Sequence, residues 1–320
     1  MAKKKIATST HLPKTVIPWI ALVQLVIFTT LLLCLPVQNS YLIRANSETF
    51  TQKTHVPAPT PAAYPTKISS VDPPPLTAEG IMITDIASGV TLFEKNPDLQ
   101  LLPASTTKIM TALVVLEDYK LDEVVEVGTI HTENNVMGLQ TGEKITVENL
   151  LYGLLVYSAN DAALALAQHH QGSVAGFVNR MNEKKDSLHL QNTHFTNPVG
   201  FDDHDQYTTV HDLTRLSLVA LKNKTLAKIV GIPQITVSDI TFTYFHQLKN
   251  VNALLGKIPG VSGIKTGFTQ EAGECLVTTA QKDNQRVLLV LLRSKDRFGE
   301  TEQLINWVFA NTHWVTLTPP

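Results

Sequence analysis

The sequence predicts an α+β fold, and three observations carry that expectation. Strand-like runs open the folded part near Thr77, helical patterns fill its middle, and more strand-like runs with a last helix close it. Strands from both ends with helices between them suggest a layer fold whose sheet both ends complete. The first two runs lie in "GIMITDIASGVTLFEKN", residues 80–96, with Ala87-Ser88-Gly89 as a hairpin turn. "STTKIMTALVVLEDY", residues 105–119, places apolar residues at 109, 110, 113, 114 and 116, consistent with a buried helix. "VENLLYGLLVYSANDAALALAQHH", residues 147–170, is a longer helical stretch interrupted around Ser158. "TVHDLTRLSLVALKN", residues 209–223, reads as an amphipathic helix with Thr209 as its N-cap. "ITFTYFH", "GIKTGFT", "CLVTTAQ" and "RVLLVLLRS" then read as antiparallel strands, and "GETEQLINWVFANT" as the closing helix.

Ahead of this domain the chain changes character. Lysines cluster in "MAKKK" and at Lys14, and Ile17–Leu35 follows with 19 residues and no charge. As a helix it would span roughly 28 Å, near the bilayer's hydrocarbon thickness of about 30 Å. The basic flank keeps the N-terminal side cytoplasmic. The expected division is a cytoplasmic 1–16, a transmembrane signal-anchor at 17–36, a linker at 37–76 and a folded domain at 77–316. A cleaved signal is the alternative, but the apolar run exceeds the usual length and "CLPVQNSYLIRA" lacks a small-x-small cleavage site. Eight of the seventeen prolines fall in residues 36–75, so that stretch reads as a semi-rigid spacer.

Composition narrows the function classes. A hydrophobic content of 43% supports a sizeable core, and a net charge of -2 argues against a nucleic-acid partner. The two cysteines, Cys34 and Cys275, sit in an apolar segment and a distant strand, so no disulfide framework is expected. Eleven histidines include no His-Glu-x-x-His, and no metal or cofactor is called for.

Three short motifs remain: "STTK" at 105–108, "SAN" at 158–160 and "KTG" at 265–267. Singly, they could be a helix start, a local cap and a solvated edge charge. Together they form a nucleophile with its support. A serine hydroxyl is a weak nucleophile that needs a base within hydrogen-bond reach. Lys108 lies one helical turn after Ser105, so both side chains can share a face. Burial and a nearby cation such as Lys265 can lower the lysine's pKa until it accepts a proton. The helix start favours developing negative charge, so the Ser105 amide suits an oxyanion hole. Ser158, at the helix break, could relay a proton to the leaving amine, with Asn160 orienting Lys108 and bonding the substrate amide. Lys265 and Thr266 could bind a substrate carboxylate, and Gly267 would leave room for substrate along the strand edge.

In this order the motifs match the Ser-x-x-Lys, Ser-x-Asn and Lys-Thr-Gly set of penicillin-binding proteins and serine β-lactamases. From about Gly80 to Phe309 the chain resembles the serine D-alanyl-D-alanine carboxypeptidases, the low-molecular-mass penicillin-binding proteins of peptidase family S11. The likeness extends to the flanks "LPASTTKIMTAL", "MGLQTGEKITVENL", "LLYGLLVYSANDAALALA", "HFTNPVGFDDHDQYTTVHDLTRL" and "GIKTGFTQEAGECLVTTA". The resemblance implies the penicillin-recognising transpeptidase fold and acyl-enzyme chemistry at Ser105. Peptidoglycan stem peptides would be the substrates and β-lactams covalent inhibitors. It also implies an oxyanion hole shared by the amides of Ser105 and Phe268. The lipid bilayer would be a further partner, through the N-terminal segment. A class A β-lactamase would need a deacylating glutamate, and "QNTHFTNPVG" has none. An endopeptidase or transpeptidase of the same fold stays open, as does, less favoured, an inactive wall-binding protein.

Overall fold

The structure, a computed structural model, describes residues 17–33, 63–68, 71–132, 134–171 and 173–315. The chain divides into two units, residues 1–58 and 59–320. In the first, Ile17–Leu33 forms helix α1. Its 17 residues rise roughly 25 Å. Among the described residues no helix is long and apolar enough to cross a membrane. The described helix covers residues 17–33 of the span expected at 17–36, and Cys34, Leu35 and Pro36 lie outside the described residues.

The second unit holds the remaining elements. Strands β1 (Tyr64–Lys67), β2 (Gly80–Asp85) and β3 (Thr91–Lys95) lead into a 3₁₀ turn, Ala104–Thr107, and helix α2 (Lys108–Asp118). Strands β4 (Val124–Glu126) and β5 (Lys144–Thr146) precede α3 (Val147–Tyr152), a π-helical turn Gly153–Tyr157, α4 (Asn160–Gln168) and α5 (Ser173–Ser187). Helices α6 (Val210–Lys222) and α7 (Lys224–Val230) are followed by β6 (Gln234–Ser238), β7 (Phe245–Lys249), β8 (Val261–Thr269), β9 (Gly273–Lys282) and β10 (Gln285–Ser294). Helix α8 (Arg297–Asn311) and strand β11 (Thr312–Val315) end the described chain.

The central sheet has five strands in the order β3-β2-β10-β9-β8, all neighbours antiparallel. Early β2 pairs with late β10, so both ends of the domain complete one sheet, as expected. Side chains alternate between sheet faces. Leu288, Val290 and Leu292 of β10 accordingly join the larger apolar cluster with α2, α4 and α6. Val287, Leu289 and Leu291 join the smaller one with Leu304, Ile305 and Val308 of α8. Burial on both faces explains why "RVLLVLLRS" is nearly all apolar. Helix α2 buries every residue from Lys108 to Val115, which holds the base of the site rigidly.

Two local expectations change. Residues 64–67, counted as spacer, form β1 and pair with β11. Pro65 is tolerated there because β1 has a partner on one side only. The run "ITFTYFH" is mostly not strand: β6 and β7 flank it, and residues 239–244 make the turn between them. The Asp239 carboxylate accepts N–H groups of Thr241, Thr243 and Tyr244, which turns the chain despite its β-forming residues.

Candidate active site

Pro103 introduces the 3₁₀ turn that carries Ser105, so the serine sits just ahead of α2 rather than inside it. The turn is held by the Thr106 amide and hydroxyl, which both donate to the Pro103 carbonyl. Ala104 adopts a φ of 47°, a left-handed conformation that costs a non-glycine residue about 1–2 kcal/mol. Its cause lies in the neighbours. Gly200 and Gly267 press against the same backbone, and a Cβ on either would come within about 3 Å of the Ser105 nitrogen.

Lys108 is fully buried. Its Nζ lies 3.0 Å from Ser105 Oγ, 2.7 Å from Asn160 Oδ1 and 2.7 Å from the Val199 carbonyl oxygen. Burial holds its pKa well below the ordinary lysine value, Lys265 lowers it further by repulsion, and Asp161 opposes them. A neutral amine has two N–H donors and one lone pair. Two donors meet the Asn160 and Val199 acceptors, which leaves the lone pair for the Ser105 hydroxyl. The geometry is that of a nucleophile with its base.

Ser158 ends the π-helical turn in the left-handed region, φ 64° and ψ 31°. This is the interruption the sequence announces. Its hydroxyl is buried in the cleft wall without a hydrogen-bond partner among the described residues. Asn160 opens α4; its Nδ2 donates to Asn134 O and its amide to Asn135 O. The loop supplying those carbonyls is held by Asp161, whose carboxylate accepts the Met137, Gly138 and Leu139 amides. These loop contacts are invisible to motif reading because they are made through backbone atoms.

On β8, Thr266, Gly267 and Phe268 line the cleft with Ser105, Ser158 and Asn160. The cleft volume is about 690 Å³. Lys265 does not line it. Its side chain is buried, with Nζ donating to the Thr266 carbonyl, and burial first and Arg297 second lower its pKa to about 7. Its position serves Lys108 electrostatically. The cation that does line the cleft is Arg297, which sequence reasoning missed. Arg297 Nη1 donates to Gly267 O at 2.6 Å, while its Nε is buried without a hydrogen-bond partner. The one sequence signal was a cation in the first turn of a helix, where the macrodipole disfavours it. Cys275 lies buried on β9, as expected of a strand residue, and burial pushes its thiol up to about 11. Among the described residues no group of three or more His, Cys, Asp or Glu side chains could hold a metal ion.

Residues 67–296 match the family model for D-alanyl-D-alanine carboxypeptidases. The chain belongs to the D-alanyl-D-alanine carboxypeptidase family. It is 32% identical over 243 residues to the carboxypeptidase DacF of Bacillus subtilis (strain 168), covering 73% of this chain and 62% of that protein. It thus spans less than two thirds of that relative's length. It is 33% identical over 268 residues to a D-alanyl-D-alanine endopeptidase of Pseudomonas aeruginosa, covering 78% of this chain and 85% of that one. The crystal structure of the Streptomyces K15 DD-transpeptidase superposes with a TM-score of 0.71 at 34% identity, covering 75% of this chain and all of that one. The carboxypeptidase family member described here therefore has the α+β fold its sequence predicts.

Proposed function

We propose that the domain is a serine D-alanyl-D-alanine carboxypeptidase that removes the terminal D-alanine from peptidoglycan stem peptides through an acyl-enzyme on Ser105. The observation that carries this reading is Lys108 Nζ, 3.0 Å from Ser105 Oγ, with its other contacts taken by fixed acceptors. Thr266 and Arg297 hold the terminal carboxylate, a charge-assisted pairing that suits a guanidinium fork. Lys265, buried behind them, depresses the Lys108 pKa. Ser105 Oγ gives its proton to Lys108 and bonds the penultimate D-alanine carbonyl carbon. The amides of Ser105 and Phe268 stabilise the oxyanion. The proton passes by way of Ser158 to the leaving amine, the C–N bond breaks, and D-alanine departs. Asn160 keeps Lys108 in register and bonds the substrate amide. Water then attacks the ester, with Lys108 again as base. A β-lactam enters the same sequence and stays as the acyl-enzyme.

The relatives named an endopeptidase and a transpeptidase favour a second reading on the same site, with a cross-link or an amine as reaction partner. Incubation of the protein with a stem pentapeptide, a cross-linked muropeptide and a fluorescent penicillin separates these. D-alanine release and penicillin labelling, both lost in Ser105→Ala, support the first reading. Cleavage of the cross-link alone supports the second, and neither labelling nor product would sink both. We also propose that the apolar, uncharged α1 associates with the bilayer, leaving the catalytic domain on the extracytoplasmic side. Release of the protein from membranes by alkaline carbonate would contradict that.

A further inference from the structure

Two large apolar side chains stand at the mouth of the cleft. Phe201 is 43% exposed and Phe268 is 55% exposed, and both line it. Each belongs to a backbone segment pressed against Ser105. Phe201 follows Gly200 and Phe268 follows Gly267, and a Cβ on either glycine would crowd the Ser105 nitrogen. The residues next along are joined to each other: Thr269 Oγ1 donates to Asp202 Oδ1 at 2.6 Å. The two phenylalanines are thereby held on one rim from two separate segments. Beyond Phe201 a second hollow of about 520 Å³ opens, walled by that same ring with Ile130, His131 and Thr132. Exposed aromatic surface in a concave site is the usual lining of a ligand pocket. Neither ring has a part in the bond-making described above.

We infer that Phe201 and Phe268 form an apolar subsite for the acyl portion of the ligand, beside the scissile amide, continuing past Phe201 into the second hollow. The inference rests on the serine acylation reading. The ligand it selects carries an aliphatic or aromatic group on the acyl side of the bond that Ser105 attacks. Covering about half of a phenylalanine ring on binding favours such ligands by about fivefold to tenfold.

Two β-lactams that share one ring system read this directly: 6-aminopenicillanic acid, which has no acyl side chain, and its phenylacetyl derivative. The second-order acylation constant is measured for each on the full chain, Phe201→Ala and Phe268→Ala, alongside thermal melting. The unsubstituted protein should prefer the phenylacetyl compound, and each alanine variant should lower that preference about fivefold to tenfold. Both variants replace exposed side chains, so melting temperatures should stay near the parent's. A preference unchanged in both variants, or two rates falling in parallel, overturns the subsite. Failure of both compounds to acylate the unsubstituted protein at Ser105 instead overturns the acylation reading, so the two failures are distinct.

Discussion

Gly200→Ala tests whether the reaction centre depends on the backbone packing around Ser105. A Cβ on Gly200 would lie 1.9 Å from the Ala104 carbonyl oxygen, where ordinary contact begins at 3.4 Å. About 1.5 Å must therefore open between the two segments. The position also has a φ of +90°, which costs a residue with a Cβ about 1–2 kcal/mol. Neither segment can yield harmlessly. The neighbouring Val199 carbonyl accepts from Lys108, and Ala104 positions Ser105. A misplacement near 1 Å costs about 100-fold in rate, so acylation should fall at least that far. Gly267→Ala is the internal control. Its Cβ would meet Ala104 Cβ and Ser105 N at 3.0 Å, which needs a shift of only a few tenths of an ångström. That variant should lose about tenfold or less. The assay is the time course of labelling by a fluorescent penicillin, read with thermal melting. Acylation of Gly200→Ala at the parent rate, or a larger loss in Gly267→Ala, would refute the reasoning.

The other predictions concern charge and hydrogen bonding. Attack requires neutral Lys108, so the acid limb of the acylation rate reports its pKa. Lys265→Met removes a repelling cation and should move that limb to higher pH; Asp161→Asn removes an attracting anion and should move it lower. Rate–pH profiles that shift in the same direction would contradict the assignment. Lys265→Met should also melt at a higher temperature near neutral pH. In the folded protein its pKa falls from 10.5 to about 7, so stability is lost as pH falls through that window, by roughly 5 kcal/mol at the limit. Methionine escapes that loss, and the advantage should fade toward pH 10. Ser158→Ala should leave stability within about 1 kcal/mol, because the hydroxyl has no partner to lose. Release of D-alanine should nevertheless drop about 100-fold or more if that hydroxyl carries the proton; unchanged release would remove it from the relay.

Much of this site was legible because side-chain chemistry and periodicity agree locally. The helix break at Ser158 showed as a lapse in apolar period, and Thr209 accepts the Asp212 amide as an N-cap should. Ser105, Ser158 and Thr266 meet in one cleft although 53 and 161 residues separate the first from the others. What escaped was carried by the backbone or by distant packing. The Val199 and Asn134 carbonyls have no residue-type signature. Arg297 reaches Gly267 of β8 only because α8 starts against the neighbouring β9, where Glu274 accepts the Arg297 amide. Strand β1 was hidden by a proline-rich composition that suits a spacer equally well. The turn at 239–244 went the other way, since one carboxylate that gathers backbone amides outweighed β propensity.

The same wiring bears on how the reaction ends. Glu274 is the one carboxylate among the described residues lining the cleft, and its Oε2 already accepts the Arg297 amide at 2.8 Å. Asn197, on the segment where a deacylating glutamate was sought, spends its Oδ1 on the Val199, Gly200 and Phe201 amides. Both are engaged with backbone amides, whereas Lys108 Nζ lies 3.0 Å from Ser105 Oγ. Proton balance fits that assignment. Lys108 gains a proton when Ser105 attacks, passes it to the leaving amine, and is neutral again when the ester needs a base. A depressed pKa therefore serves both halves equally, and the base does not discriminate between water and an amine. Selection of the acceptor falls instead to what the rim admits to the ester.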